Sequence, residues 1–297
     1  MVPWTLAPIQ QPVGLFVGLA TLDSIFSVQG FPKPNSKNPV REWELLAGGV
    51  ATNAAVAFQA LGGDTTLLTV LGKHPLADII RGDLAEHRID VRDMAPERTE
   101  PPAFAAVLVS SPGGDRMAVS TGSLHLPQPE DCGDSVASHE LDVVLVDGHH
   151  MPLSIDAAHK ARERGIPVIV DAGSWKPDFD KLLALSTATI CAETFRPTGV
   201  TGTESLLYYL TDLQIPYRAV THGERPIVYR SPEGDGSVAV EPIEAIDTLG
   251  AGDIYHGAFA YEWAIGNRDF PAALAAASRV ASLSCQHFGT RAWIEHL

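Results

Sequence analysis

Hydrophobic positions along this chain fall into short unbroken runs and longer stretches with helical spacing. Gly14–Thr21 reads as a buried first strand and Thr65–Leu71 as the next. Between them a helix opens at Ala47–Asn53, places Ala51, Ala54, Phe58 and Leu61 on one face, and closes at Gly62-Gly63. From Leu141 the order becomes strand, helix, strand: Asp142–Val146, then Ser154–Arg164 closed by Gly165, then Pro167–Val170. Thr189–Ala192 and Tyr217–Thr221 are further strands, and such alternation implies right-handed βαβ units in a parallel sheet. Near the C-terminus Ile254, Ala258, Tyr261 and Ile265 recur at helical spacing up to Gly266. An alanine-rich helix follows from Pro271 to Cys285.

Two regions break the alternation. Ser24–Leu46 is rich in proline and polar residues, so it is expected to be extended surface structure and not a core helix. Phe104–Ser110 and Asp115–Thr121 are strands joined by the turn signal Ser111-Pro112-Gly113-Gly114. Pro226–Arg230 and Val238–Pro242 read as a second hairpin. The fold class is therefore α/β, a three-layer α/β/α sandwich with a mostly parallel central sheet and a small β lid. The lid is drawn from about residues 24–46 and 101–124 of a single domain spanning 1–297. Exposed lid edges favour pairing of two subunits, so a homodimer through the lid is expected.

The chemistry gathers at Asp247-Thr248-Leu249-Gly250-Ala251-Gly252-Asp253. Small residues stand where a helix begins, so an anion can approach first-turn N–H groups that have no helical acceptor and carry the positive end of the dipole. An acid beside an anion cradle is self-defeating for binding alone. It makes sense if Asp253 takes a proton from a hydroxyl as that oxygen attacks phosphorus. The spacing is neither a Walker loop nor the glycine pattern of a dinucleotide fold, which argues against a dehydrogenase. Asp23, at the end of the first strand, can accept hydrogen bonds from a substrate hydroxyl or simply start a turn. Gly48 and Gly49 allow a ligand close to the backbone, and Asn53 offers both a donor and an acceptor. His149 is a substrate-contacting or solvated residue after another strand end; the neighbouring His150 makes a metal pair only weakly, without a third ligand.

At these motifs the chain resembles the ribokinase-like (PfkB) carbohydrate kinase family, whose C-terminal signature reads Asp-Thr-x-Gly-Ala-Gly-Asp and whose N-terminal signature matches Gly48, Gly49, Asn53 and Ala55. The resemblance implies that Asp253 is the catalytic base and that the Gly250, Ala251 and Gly252 amides form the anion hole. It implies that Asp23, Gly48, Gly49 and Asn53 hold a sugar, and that Thr221, Gly223 and Thr248 border the nucleotide. ATP and Mg²⁺ follow as cofactors, with K⁺ or another monovalent cation between the Asp247 loop and Gly289-Thr290-Arg291-Ala292. Where relatives carry Asn-x-x-Glu, this chain has Ala192 and Phe195, leaving Glu193 as the nearby carboxylate for the metal, acting through water. Pro226 likewise replaces the last glycine of the nucleotide loop, and Gly72-Lys73-His74-Pro75 replaces a glycine with paired aspartates. The reaction implied is transfer of the γ-phosphoryl of MgATP to a hydroxyl of a sugar. A nucleoside kinase is the alternative enzyme, and a silent sugar- or nucleotide-binding sensor is the alternative class.

Composition narrows the partners. The chain has 297 residues, 45% of them hydrophobic, and a formal charge of −15, which disfavours nucleic acid and anionic membranes. Three scattered cysteines without a Cys-x-x-Cys pair suit a reducing compartment, and no apolar run is long enough to span a bilayer. The expected location is cytoplasmic.

Overall fold

The computed structural model describes residues 11–110, 113–137, 140–266 and 268–297. β1 (Val13–Val17) lies inside the main sheet, after which the chain leaves for a smaller one formed first by β2 (Thr21–Val28) and β3 (Trp43–Gly48). α1 (Val50–Ala60) leads back to β4 (Asp64–Thr69) beside β1, and α2 (Pro75–Glu86) leads to the edge strand β5 (Asp90–Asp93). β6 (Ala103–Ser110) and β7 (Asp115–Ser120) complete the small sheet; Ser111 and Pro112 of the expected turn lie outside the described residues.

From β8 (Val143–Val146) the chain alternates through α3 (Met151–Glu163), β9 (Val168–Ala172), α4 (Phe179–Leu183), β10 (Ala188–Ala192) and α5 (Thr203–Asp212) to β11 (Tyr217–His222). β12 (Arg225–Ser231) and β13 (Gly234–Val238) turn antiparallel. α6 (Ala251–Ile265) and α7 (Phe270–Ser284) follow.

The large sheet runs β13-β12-β11-β10-β9-β8-β1-β4-β5, parallel from β11 to β5; the small one runs β3-β2-β6-β7. Successive side chains of a strand face opposite sides, so Phe16 packs with α1, α2, α6 and α7, whereas Leu15 and Val17 pack with α3, α4 and α5. This is the expected three-layer arrangement with a small second sheet.

Three local expectations change. The first strand ends at Val17, and Thr21 already belongs to the small sheet, so Asp23 sits within β2 and not at the tip of a core strand. The crossing is held by the Asp147 carboxylate, which accepts the N–H groups of Leu19 (2.9 Å), Ala51 (3.1 Å) and His149 (2.8 Å). A side chain at Gly18 would overlap that carboxylate. The second hairpin pairs β12 with Gly234–Val238, where Gly236 leaves room for the Tyr229 ring. α2, absent from the hydrophobic reading, starts where the His74 ring accepts from Leu76 N at 3.1 Å and Pro75 takes the first turn.

Candidate active site

α6 begins at Gly250, whose φ of 69° is left-handed and whose missing Cβ leaves room for Thr290 and Asn53. Gly252 is exposed, with open space where a side chain would stand. Ala251 and Gly252 line a cavity of about 790 Å³, together with Thr221, Gly223 and Thr248. That volume suits a nucleotide-sized ligand. The structure therefore brings the helix tip and all three expected nucleotide residues onto one cavity.

Asp253 sits in the first turn of α6, half-buried, where its Oδ2 accepts a hydrogen bond of 2.9 Å from Asn53 Nδ2. The two residues meet because α1 and α6 pack backbone to backbone: a Cβ on Gly257 would overlap the carbonyl of Ala54. Burial, and then the nearby Asp171 carboxylate, push the Asp253 pKa up to about 7, against the Asn53 hydrogen bond and the charges of Arg116 and His256. A carboxyl titrating there can be ionised at neutral pH and can still take a proton. Beneath it, Asp171 and His256 form a buried pair at 3.0 Å, and the far ring nitrogen of His256 lies 3.2 Å from Ile190 O.

Asp23 is buried on β2 and accepts from Thr21 Oγ1 at 2.5 Å. Its carboxylate occupies the space that a side chain on Gly48 would need, and burial holds its pKa up, opposed by Thr21 and the Arg291 charge. Gly49 caps α1 with a φ of 101°, and a Cβ there would overlap Leu19 O. Asp23, Gly48, Gly49 and Asn53 thus cluster where the small sheet meets α1.

Two expected residues are engaged by neighbouring side chains. His149 is tied to Asp147, 3.3 Å from Nδ1 to Oδ2, and no hydrogen bond among the described residues joins it to Asp23, Asn53 or Asp253. Burial works against ionisation of Asp147, yet His149, Lys176 and the backbone amide outweigh it and hold that carboxyl below its usual range. Glu193 is engaged by Arg225, a residue lining the cavity at the α6 tip.

Further contacts at the site are not foretold by the sequence. Arg291 Nη1 donates to Asn53 Oδ1 at 3.1 Å, and Nη2 reaches Ala47 O at 2.6 Å and Asp83 at 3.2 Å. Arg116 on β7 donates to Thr248 O, and Thr248 Oγ1 donates to Gly114 O at 3.0 Å, so the small sheet is docked on the α6 loop. Asp247 accepts from Leu249 N (2.8 Å) and Gly289 N (2.9 Å), stitching that loop to the C-terminal one. Periodicity carries no trace of such contacts, which join positions far apart in the chain.

The sequence profile of pfkB family carbohydrate kinases matches residues 15–297. The chain belongs to this family. Ribokinase from Bacillus subtilis (strain 168) is 26% identical over 281 residues, covering 93% of both chains. A crystal structure from Agrobacterium tumefaciens, described as a ribokinase candidate, superposes with a TM-score of 0.86 at 29% identity, over 96% of this chain and 94% of that one. Arabidopsis thaliana ribokinase complexed with ribose and ATP has the same fold at 20% identity, with a TM-score of 0.73 over 94% of each chain. This protein is thus a carbohydrate kinase by family, with the ribokinase-like fold. No helix among its described residues is long and apolar enough to cross a membrane.

Proposed function

We propose that this kinase transfers the γ-phosphoryl group of ATP to a hydroxyl of a sugar or sugar-like polyol. The observation that carries the reading is Asp253, with a pKa near 7, set in the first turn of a helix whose glycine tip opens onto a nucleotide-sized cavity. The acceptor lies among Asp23, Gly48, Gly49 and Asn53, and Asp253 takes the proton of the attacking hydroxyl. The first-turn amides at Gly250, Ala251 and Gly252 receive charge that develops on the phosphoryl oxygens. Thr221, Gly223 and Thr248 flank the triphosphate. Positioning and fixed dipoles supply most of the acceleration, since phosphoryl transfer leaves little covalent work to the protein.

Mg²⁺, when bound with the nucleotide, neutralises phosphate charge. Among the described residues the one group of three or more acids, histidines and cysteines close enough to share an ion is Asp131, Cys132 and Asp156, and Lys160 already pairs with both acids. This fits a magnesium ion that leans on phosphates and water, with Glu193 at most an outer partner once released from Arg225. The loops stitched by Asp247 offer the ground for a monovalent cation, tested by comparing turnover in K⁺ and in a bulky ammonium salt.

Residues 1–297 act as one kinase unit in the cytoplasm, and the small sheet is its lid. Trp43, Leu45, Phe104, Met117 and Val119 are exposed on it, an apolar surface that supports a homodimer through the lid. Sedimentation of wild type against Val119→Lys tests that assembly. The activity itself is tested by ADP release with ribose, fructose and adenosine as acceptors. Release stimulated by a sugar and abolished in Asp253→Asn is expected. Stimulation by adenosine alone would make this a nucleoside kinase, and tight sugar binding without any ADP release would make it a sensor.

A further inference from the structure

The amide of Asn53 faces two different neighbours: an arginine on one side and the Asp253 carboxylate on the other. Guanidinium groups donate and never accept. The Asn53 atom toward Arg291 is therefore the carbonyl oxygen, and the NH₂ group is left for Asp253. Turning the amide over would set donor against donor on one side and acceptor against carboxylate on the other. Arg291 is itself held in place, by Asp83 on α2, by the carbonyl of Ala47 at the end of β3, and by Thr290 Oγ1 at 2.9 Å. Its side chain is buried, and the carboxylates of Asp23 and Glu44 also bear on it from the small sheet. A hydrogen-bonded series thus runs from Asp83 through Arg291 and Asn53 to Asp253, joining four segments of the chain.

We propose that Arg291 is a positioning residue that locks the Asn53 amide with its NH₂ group toward Asp253, and so fixes the hydrogen-bonded state of the base. This rests on the kinase reading of the same site. Arg291 does not touch the reacting atoms; it acts through Asn53. The other groups bearing on Asp253 are Asp171 from β9, Arg116 from β7 and His256 on α6 itself. Of the interactions around Asp253, the Asn53 hydrogen bond is the one that Arg291 can switch. Losing that donor favours the protonated acid and moves the base out of range at neutral pH.

The test titrates the Asp253 carboxyl by ¹³C NMR in the substrate-free protein and, in parallel, follows the acid limb of the kcat/KM profile. Arg291→Met removes every donor, and its midpoint is expected to rise by about half a unit or more. Arg291→Lys keeps one donor, so a smaller rise with partial recovery of turnover is expected. The decisive comparison places Arg291→Met in an Asn53→Ala background, where no further rise is expected because the relay is already cut. A midpoint that stays put in Arg291→Met, or rises as much without Asn53 as with it, overturns the proposal. In the second case Arg291 acts by charge alone. Should the methionine variant not fold, Arg291→Lys carries the same comparison, and an unmoved midpoint there overturns the proposal too. The NMR titration needs no substrate, so absence of kinase activity in the wild type would sink the functional reading and the word base, while the coupling of Arg291 to Asp253 through Asn53 would still be read from the midpoints.

Discussion

The two sides of the α6 tip are built differently. On one side Asp253, Asn53, Arg291 and Asp83 form an unbroken series of hydrogen bonds in a closely packed region. On the other side there is an open cavity of about 790 Å³, and Arg225 on its rim pairs with Glu193, their side chains 63% and 44% exposed. On the proposed reading the difference follows from what each side must do. A hydroxyl has to be aligned with phosphorus to within a fraction of an ångström for the bond to form. A long, flexible polyanion can be held by amides, a metal and a roomy wall.

The contrast can be broken at its most rigid point. Gly257→Ala drives a methyl group into the Ala54 carbonyl at the α1–α6 contact, and is expected to cost about 3 kcal/mol of stability and to pull Asn53 from Asp253. Thermal unfolding together with turnover checks it; unchanged melting would mean the helices are not locked. Asp253→Asn should lower turnover by about a hundredfold or more while nucleotide affinity survives.

The same variant has a pH signature. The folded pKa of Asp253 lies near 7, above the ordinary carboxylate value. Between about pH 4 and 7 the native state therefore holds more protons than the unfolded chain, and stability falls as pH rises. Asp253→Asn should accordingly unfold at a higher temperature than wild type above pH 7, with the gap closing below about pH 4. A gap independent of pH would show that burial does not perturb this carboxyl.

Smaller effects sharpen the comparison. Gly82 also sits inside a helix, but nothing lies where its Cβ would be, so Gly82→Ala should stabilise the protein by about 0.5–1 kcal/mol. Arg225→Ala on the nucleotide rim should change stability by only a few tenths of a kcal/mol and the nucleotide KM by less than about threefold. A large rise in KM would show that the open side is as demanding as the closed one.

The sequence shows these two sides unequally. The cradle is legible because its signature is contiguous, and a helix start dictates which way its amides face. The alternation of strands and helices after Leu141 is legible for the same reason, because each run is local. The crossing at Gly18 is hidden, since Gly14–Thr21 is apolar throughout and a run of that kind does not reveal that its halves serve different sheets. α2 is missed because its start depends on a histidine ring as cap. Arg291 is hidden most deeply: the loop around it stands out, but its grip on Asn53 spans 238 positions and leaves no spacing to detect.

That crossing has a consequence for economy of the cofactor. On the proposed reading Asp23 meets the acceptor from the small sheet, whereas Asp253 meets it from α6 against the large one, and only Gly18–Ala20 connect β1 to β2. A sugar long enough to touch both aspartates is gripped by two bodies at once. On that reading a lone water is too small to engage both, and futile cleavage of the triphosphate would be restrained by the division of labour between two sheets, with no residue reserved for the purpose.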